Sequence, residues 1–108
     1  MSILFSESRY PLHKNKEVLT AWFRAIEKYP IPEGLFTTLV DKAVSSDQKG
    51  LKVRSAYLIS PGKSDETAAY FRKFMTEYFD IEDYTYEFTT WSTIEEAMDS
   101  IETPMPER

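Results

Sequence analysis

Four charged residues, Glu7, Arg9, Arg54 and Glu87, sit on segments that otherwise read as strands. Opposite charges on neighbouring strands pair when they share a face, and the same groups line a polar pocket when that face is enclosed. Trp22, Tyr84 and Tyr86 are the aromatic candidates beside them. Together with Arg54, these rings suit a small acidic or aromatic ligand. The expected ligand-binding set is therefore Glu7, Arg9, Trp22, Arg54, Tyr84, Tyr86 and Glu87. A purely structural ion-pair network is the plainer account of the four charges.

Other chemistries find less support. His13 is the only histidine, so no histidine cluster can hold a metal. It stands four residues before Glu17, a spacing that brings two ligands together on a helix. A cap at Asn15 would leave it outside that helix, in a solvated loop. An imidazole titrates near neutrality and suits a general base, but no hydroxyl or carboxylate partner is identifiable. Asp80, Glu82 and Asp83 lack the glycine and distal glutamate of a calcium loop, so they read as a solvated helix end. Lys42, Lys49, Lys52 and Arg54 form either a phosphate-binding patch or an ordinary solvated hairpin. The three glycines, Gly34, Gly50 and Gly62, each mark a turn rather than a phosphate loop, and no serine lies in a nucleophile elbow. No metal and no cofactor are expected.

The elements that must position these residues follow from periodicity and punctuation. Residues 2–10 read as a strand stopped by Pro11. A helix over 15–29 takes Asn15 as cap and a stripe of Val18, Leu19, Trp22, Phe23, Ile26 and Tyr29. Pro30 to Gly34 break it. Residues 35–45 and 51–60 are rich in β-branched and apolar types and form two strands joined by a loop at 46–50. A second helix over 65–80 takes Ser64 as cap, with Ala68, Phe71, Phe74, Met75, Tyr78 and Phe79 as its stripe. Residues 84–91 alternate as a strand. Ser92-Thr93-Ile94-Glu95 matches a capping box and opens a short helix over 93–102. The tail 103–108, with two prolines, is expected to be flexible.

The order β-α-β-β-α-β-α over residues 1–102 predicts one α+β domain of ferredoxin-like topology, βαββαβ(α), with a four-stranded antiparallel sheet. Right-handed crossovers place both main helices on one face. In this order the chain resembles the dimeric α/β-barrel superfamily, in which such domains pair their sheets face to face. Pro32-Glu33-Gly34-Leu35 is similar to a turn found in small uncharacterised families of that group. The resemblance implies a fold and a dimer. Monooxygenases and haem-degrading members place Asn, Trp or His at their pocket, roles that do not map onto residues of this chain.

Strand patterning points the same way. In the second strand Phe36, Val40 and Val44 should share one face, and Leu35, Leu39 and Ala43 the other. In the third, Leu51, Val53, Tyr57 and Ile59 oppose Ala56 and Leu58. In the fourth, Tyr84, Tyr86 and Phe88 oppose Trp91. Helices cover such a sheet once, and the bare second face would form a large apolar patch. A second copy in a twofold homodimer covers it. The alternatives are the C-terminal helix folding across it, or a strand register other than the one read here.

Composition sets the remaining bounds. The chain has 108 residues, a size suited to one domain, and a net charge of −5. Residues 1–61 carry nine basic and six acidic residues; residues 62–108 carry four and twelve. The acidic half argues against a nucleic-acid partner, which needs a concentrated basic face. The absence of cysteine excludes disulfides, thiolate metal sites and thiol nucleophiles. No apolar run reaches the roughly 20 residues of a membrane span, and the N-terminus lacks a signal-peptide pattern. A soluble, cytoplasmic protein with no membrane partner is expected. Two functions compete: a homodimeric module binding a small molecule or a partner protein, and a cofactor-free enzyme of the monooxygenase or isomerase kind using the barrel cavity.

Overall fold

The structure is a computed structural model that describes residues 2–100, with the side chains of residues 99 and 100 excepted. The expected flexible tail at 103–108 lies outside the described residues. Four strands, β1 (Ser2–Tyr10), β2 (Phe36–Asp47), β3 (Gly50–Ile59) and β4 (Thr85–Ser92), form one antiparallel sheet in the order β2-β3-β1-β4. Three α-helices, α1 (Asn15–Lys28), α2 (Ser64–Met75) and α3 (Ile94–Ser100), accompany it among the described residues. β1 lies between β3 and β4, so each β-α-β unit is split by a strand of the other. This is the ferredoxin-like topology expected from the element order, with α1 and α2 on the same face.

The buried core lies between that face and the two helices. One cluster joins Tyr10 of β1, Val18, Ala21 and Ala25 of α1, Met75 at the end of α2, and Tyr78 and Ile81 beyond it. A second joins Leu4, Tyr57, Ile59 and Phe71. The contact stripe of α1 is rotated from the expected one. Ala21 and Ala25 are fully buried, whereas Leu19, Phe23 and Ile26 stay exposed. The small methyl groups let α1 approach Met75 and Tyr78 closely, and the larger residues flank that seam. On α2, Thr67, Phe71 and Met75 are buried, while Ala68 and Phe79 of the expected stripe are exposed.

Helix starts fall one residue from the expected caps. Lys14 occupies the cap of α1 and Lys63 that of α2, neither with a side-chain capping bond. The Asn15 side chain is engaged elsewhere: its Oδ1 accepts a hydrogen bond from the Tyr10 hydroxyl at 3.1 Å. Thr93 rather than Ser92 caps α3, its Oγ1 accepting from the Glu96 amide at 3.3 Å.

The β2–β3 hairpin is longer than expected and its turn shorter. Asp47 pairs with Gly50, leaving Gln48 and Lys49 as a two-residue turn, and Asp47 Oδ1 accepts from the Lys49 amide at 2.7 Å. Gly50 has φ +131°, and a Cβ there would lie 2.3 Å from the Tyr10 carbonyl oxygen. Only glycine permits both at the point where the hairpin meets β1.

The expected face assignment of β2 fails at its centre. Its pairing with β3 shifts twice, between Thr38 and Val40 and again between Val40 and Ala43. Each extra residue reverses the alternation. Phe36 and Val44 therefore face the helices, whereas Val40 joins Ala43 on the opposite face. Lys42, at the second shift, adopts φ +51°, a left-handed conformation that costs a non-glycine residue roughly 1–3 kcal/mol.

Candidate functional site

Small residues on the two central strands open a cavity under the helices. Along the helix-facing side of β1 the sequence runs Leu4, Ser6, Ser8, Tyr10; along β3 it runs Val53, Ser55, Tyr57. Ser6 pairs with Ser55, and Ser8 with Val53. Three serines thus occupy the floor where leucine or isoleucine would fill the space. The result is a cavity of about 300 Å³ walled by Val18 and Trp22 of α1, Phe71 and Phe74 of α2, and Tyr84 and Tyr86 next to and within β4. Its size lies at the lower end of the usual range for small-molecule sites.

Polar groups in this wall are few and specific. The Tyr84 hydroxyl donates to Ser8 Oγ at 3.0 Å, and the Tyr84 ring stacks on Tyr78 with centroids 4.9 Å apart. Burial pushes the Tyr84 hydroxyl up to about 12 and raises Tyr78 further. Both are neutral donors at physiological pH. Lys42 reaches the same cavity from β2. Its amide donates to Ser55 Oγ at 3.1 Å, and its ammonium lies 5.1 Å from the Trp22 ring centroid, a cation–π geometry. The indole N–H of Trp22 is buried and has no hydrogen-bond partner among the described residues. No carboxylate and no imidazole line the cavity among the described residues.

Among the described residues no helix lies over the centre of the opposite face of the sheet. α3 packs on β4 and leaves Phe5, Val40 and Trp91 exposed at 41%, 44% and 60%. Register divides this face into two halves. Ile3, Leu58 and Trp91 form one cross-strand row, and Val40, Ala56, Phe5 and Thr89 the next. Phe5 and Trp91 meet edge to face, centroids 6.3 Å apart. Beyond them runs a charged row, Arg54, Glu7 and Glu87, and then Lys52 and Arg9. Glu7 is the hub: it accepts from Arg9 at 3.1 Å and Arg54 at 3.4 Å, with Lys52 at 3.8 Å. Partial burial pushes its carboxyl up, but Arg54 and Arg9 outweigh that and hold it below the usual carboxylate range.

Comparison with known proteins adds the fold and nothing finer. No protein-family model matches the chain, and no curated protein matches it in sequence. A crystal structure of a conserved protein from Methanosarcina mazei Go1 aligns with a TM-score of 0.55 at 14% identity, covering 86% of this chain and 93% of that one. The de novo designed protein Foldit4 aligns at a TM-score of 0.49 and 8% identity, covering 85% and 96%. The first likeness shows a shared ferredoxin-like fold.

The seven residues expected to bind ligand are split by the sheet. Trp22, Tyr84 and Tyr86 do line one cavity. Glu7, Arg54 and Glu87 line a shallow hollow on the other face, where Arg9 also lies. Arg54 therefore does not stand beside the three rings, because residues 53 and 54 point to opposite sides of β3. Its place is taken by Lys42, which the sequence reading left to the hairpin. Serines at alternate positions 6 and 8 of a strand were the available signal for a hollow floor. His13 lies exposed in the turn before α1, and among the described residues no cluster could hold a metal ion. No helix of the described residues is long and apolar enough to cross a membrane.

Proposed function

We propose that this protein is a homodimeric binding module that pairs through the open face of its sheet and holds a small, mostly apolar molecule under its helices. The observation that carries the proposal is the serine-floored cavity. A core this small gains stability by filling space, yet the centre of the sheet is furnished with three of the smallest polar side chains. Sequestration is favoured over turnover by the wall chemistry. Burial holds Tyr78 and Tyr84 neutral, and among the described residues the lining includes no carboxylate and no imidazole.

Pairing is supported by the half of the open face built from Phe5, Val40 and Trp91, which leaves large apolar groups in water in a lone copy. A second copy, related by a twofold axis, would bury both patches at once. Two measurements test the proposal. Sedimentation at micromolar concentration should give twice the 12.6 kDa of one chain; a single 12.6 kDa species overturns the pairing. Ligand-observed NMR with a panel of small aromatic molecules should yield binders that a Ser6→Leu variant no longer takes up, because the new side chain fills the floor. Binders indifferent to that substitution would place the site elsewhere.

A further inference from the structure

We infer that the cavity selects a flat apolar molecule bearing one anionic group, and that Lys42 is the residue that meets the anion. The inference rests on the cavity being a binding site and goes beyond it to the class of ligand. The wall offers hydrogen-bond donors and a positive charge without a negative one. Trp22 contributes a buried indole N–H that no atom of the described residues accepts, and Lys42 an ammonium at the ring of that same residue. An unsatisfied buried donor is costly, and an acceptor-rich ligand removes the cost. Aromatic and aliphatic surface from Phe71, Phe74 and Val53 makes up most of the remaining wall and suits a planar ring system.

The position of Lys42 is itself irregular. Regular alternation through β2 would not require φ +51° at this residue. The two register shifts cancel by residue 42, which returns to the helix-facing side of Phe36 and Val44, and the bond from its amide to Ser55 Oγ pins the bulged backbone there. The Lys42 ammonium is held by Asp41 Oδ1 at 3.1 Å. The Asp41 side chain is 70% exposed, so the contact is weak and screened. A ligand carboxylate reaching the same ammonium from the apolar side forms a charge-assisted bond shielded from water, which is the stronger arrangement.

Calorimetric titration of the full-length chain with two probes of nearly the same outline tests this: naphthalene-2-carboxylate and its neutral counterpart 2-acetylnaphthalene. The carboxylate is expected to bind roughly tenfold or more tightly than the ketone. Lys42→Met should abolish that preference, bringing the ratio of the two affinities to about one, and Lys42→Arg should retain most of it. Circular dichroism establishes that each variant is folded. Equal affinity of the two probes for the wild-type chain, or a preference that survives Lys42→Met, overturns the anion inference and leaves the cavity proposal standing. Failure of both probes to bind up to their solubility limits overturns both.

Discussion

Glu7 and Glu87 are direct cross-strand partners in the β1–β4 pair, two carboxylates side by side on the open face of the sheet. Glu7 gathers Arg9, Arg54 and Lys52, whereas Glu87 has no ion pair among the described residues. Like charges directly opposite one another destabilise an antiparallel pair. The arrangement leaves three cations sharing one carboxylate while its neighbour goes without. A facing copy of the same surface would bring a second set of cations within reach of Glu87, so a pair that is unfavourable in one chain becomes useful in two.

Glu87→Lys separates these two settings because the expected effects have opposite signs. Within one chain the substitution places a cation opposite Glu7 and should raise the urea midpoint measured at high dilution. Between copies it adds a charge to a face already rich in cations. Self-association measured by sedimentation should weaken by roughly tenfold or more, since charges at an interface discriminate strongly. Association that is unchanged would mean that the paired surface lies elsewhere.

The rotated stripe of α1 predicts an inversion of the usual expectation for large and small apolar residues. Ala25 is fully buried beside Met75 and Tyr78, while Phe23 is 57% exposed. Ala25→Leu should therefore overpack the helix seam and destabilise by about 1–3 kcal/mol. Phe23→Ser should cost less than about 1 kcal/mol, through loss of its contact with the Trp22 ring. Chemical denaturation of both variants, with equal m-values, checks the ranking.

Architecture was legible in the sequence because periodicity carries it. The alternation of Tyr84, Tyr86 and Phe88, and the proline and glycine breaks after Tyr29 and Ser60, fix element type and order without tertiary information. The candidate site was legible only in part. Trp22, Tyr84 and Tyr86 share a face through regular alternation and helix packing, which a pattern can express. Lys42 has the parity of Phe36 and Val44 and was set aside for its charge as part of a solvated hairpin, whereas the bulges in β2 move Val40 to the opposite face by breaking the two-residue period on which face assignment rests. The helix caps moved for a similar reason. Asn15 has the chemistry of a cap, but Tyr10 reaches its side chain across the turn, and no local rule anticipates a partner from the preceding strand.

On the acid side, two carboxyls carry the expected pH dependence. Salt links hold Glu7 below the ordinary value of 4.5 through Arg54 and Arg9, against partial burial. Glu77 is held down first by its hydrogen bond from Lys28 and then by Arg24. A depressed folded-state value means that stability is fully present above 4.5 and drains away as pH falls through the lowered values. Urea midpoints measured from neutrality downward should decline below that point. The decline should be shallower in a Glu7→Gln, Glu77→Gln double variant, and equal slopes would show that these links contribute nothing measurable.

On the alkaline side the sign reverses. Burial raises Tyr10, Tyr70, Tyr78 and Tyr84 above the ordinary tyrosine value of 10, with Tyr84 at about 12. A group whose folded value is raised binds its proton more tightly in the folded chain. Its contribution to stability is therefore complete below 10 and is lost as pH climbs toward the folded value. Ultraviolet titration of the phenolates should show these four tyrosines ionising late, above 10, with the most buried of them released on unfolding. Tyr84→Phe removes one late titration and also the hydrogen bond to Ser8. Its stability near neutral pH should fall by about 1 kcal/mol, and its alkaline decline should be less steep. A full complement of tyrosines ionising together near 10 would mean that the cavity wall is wetter than its packing implies.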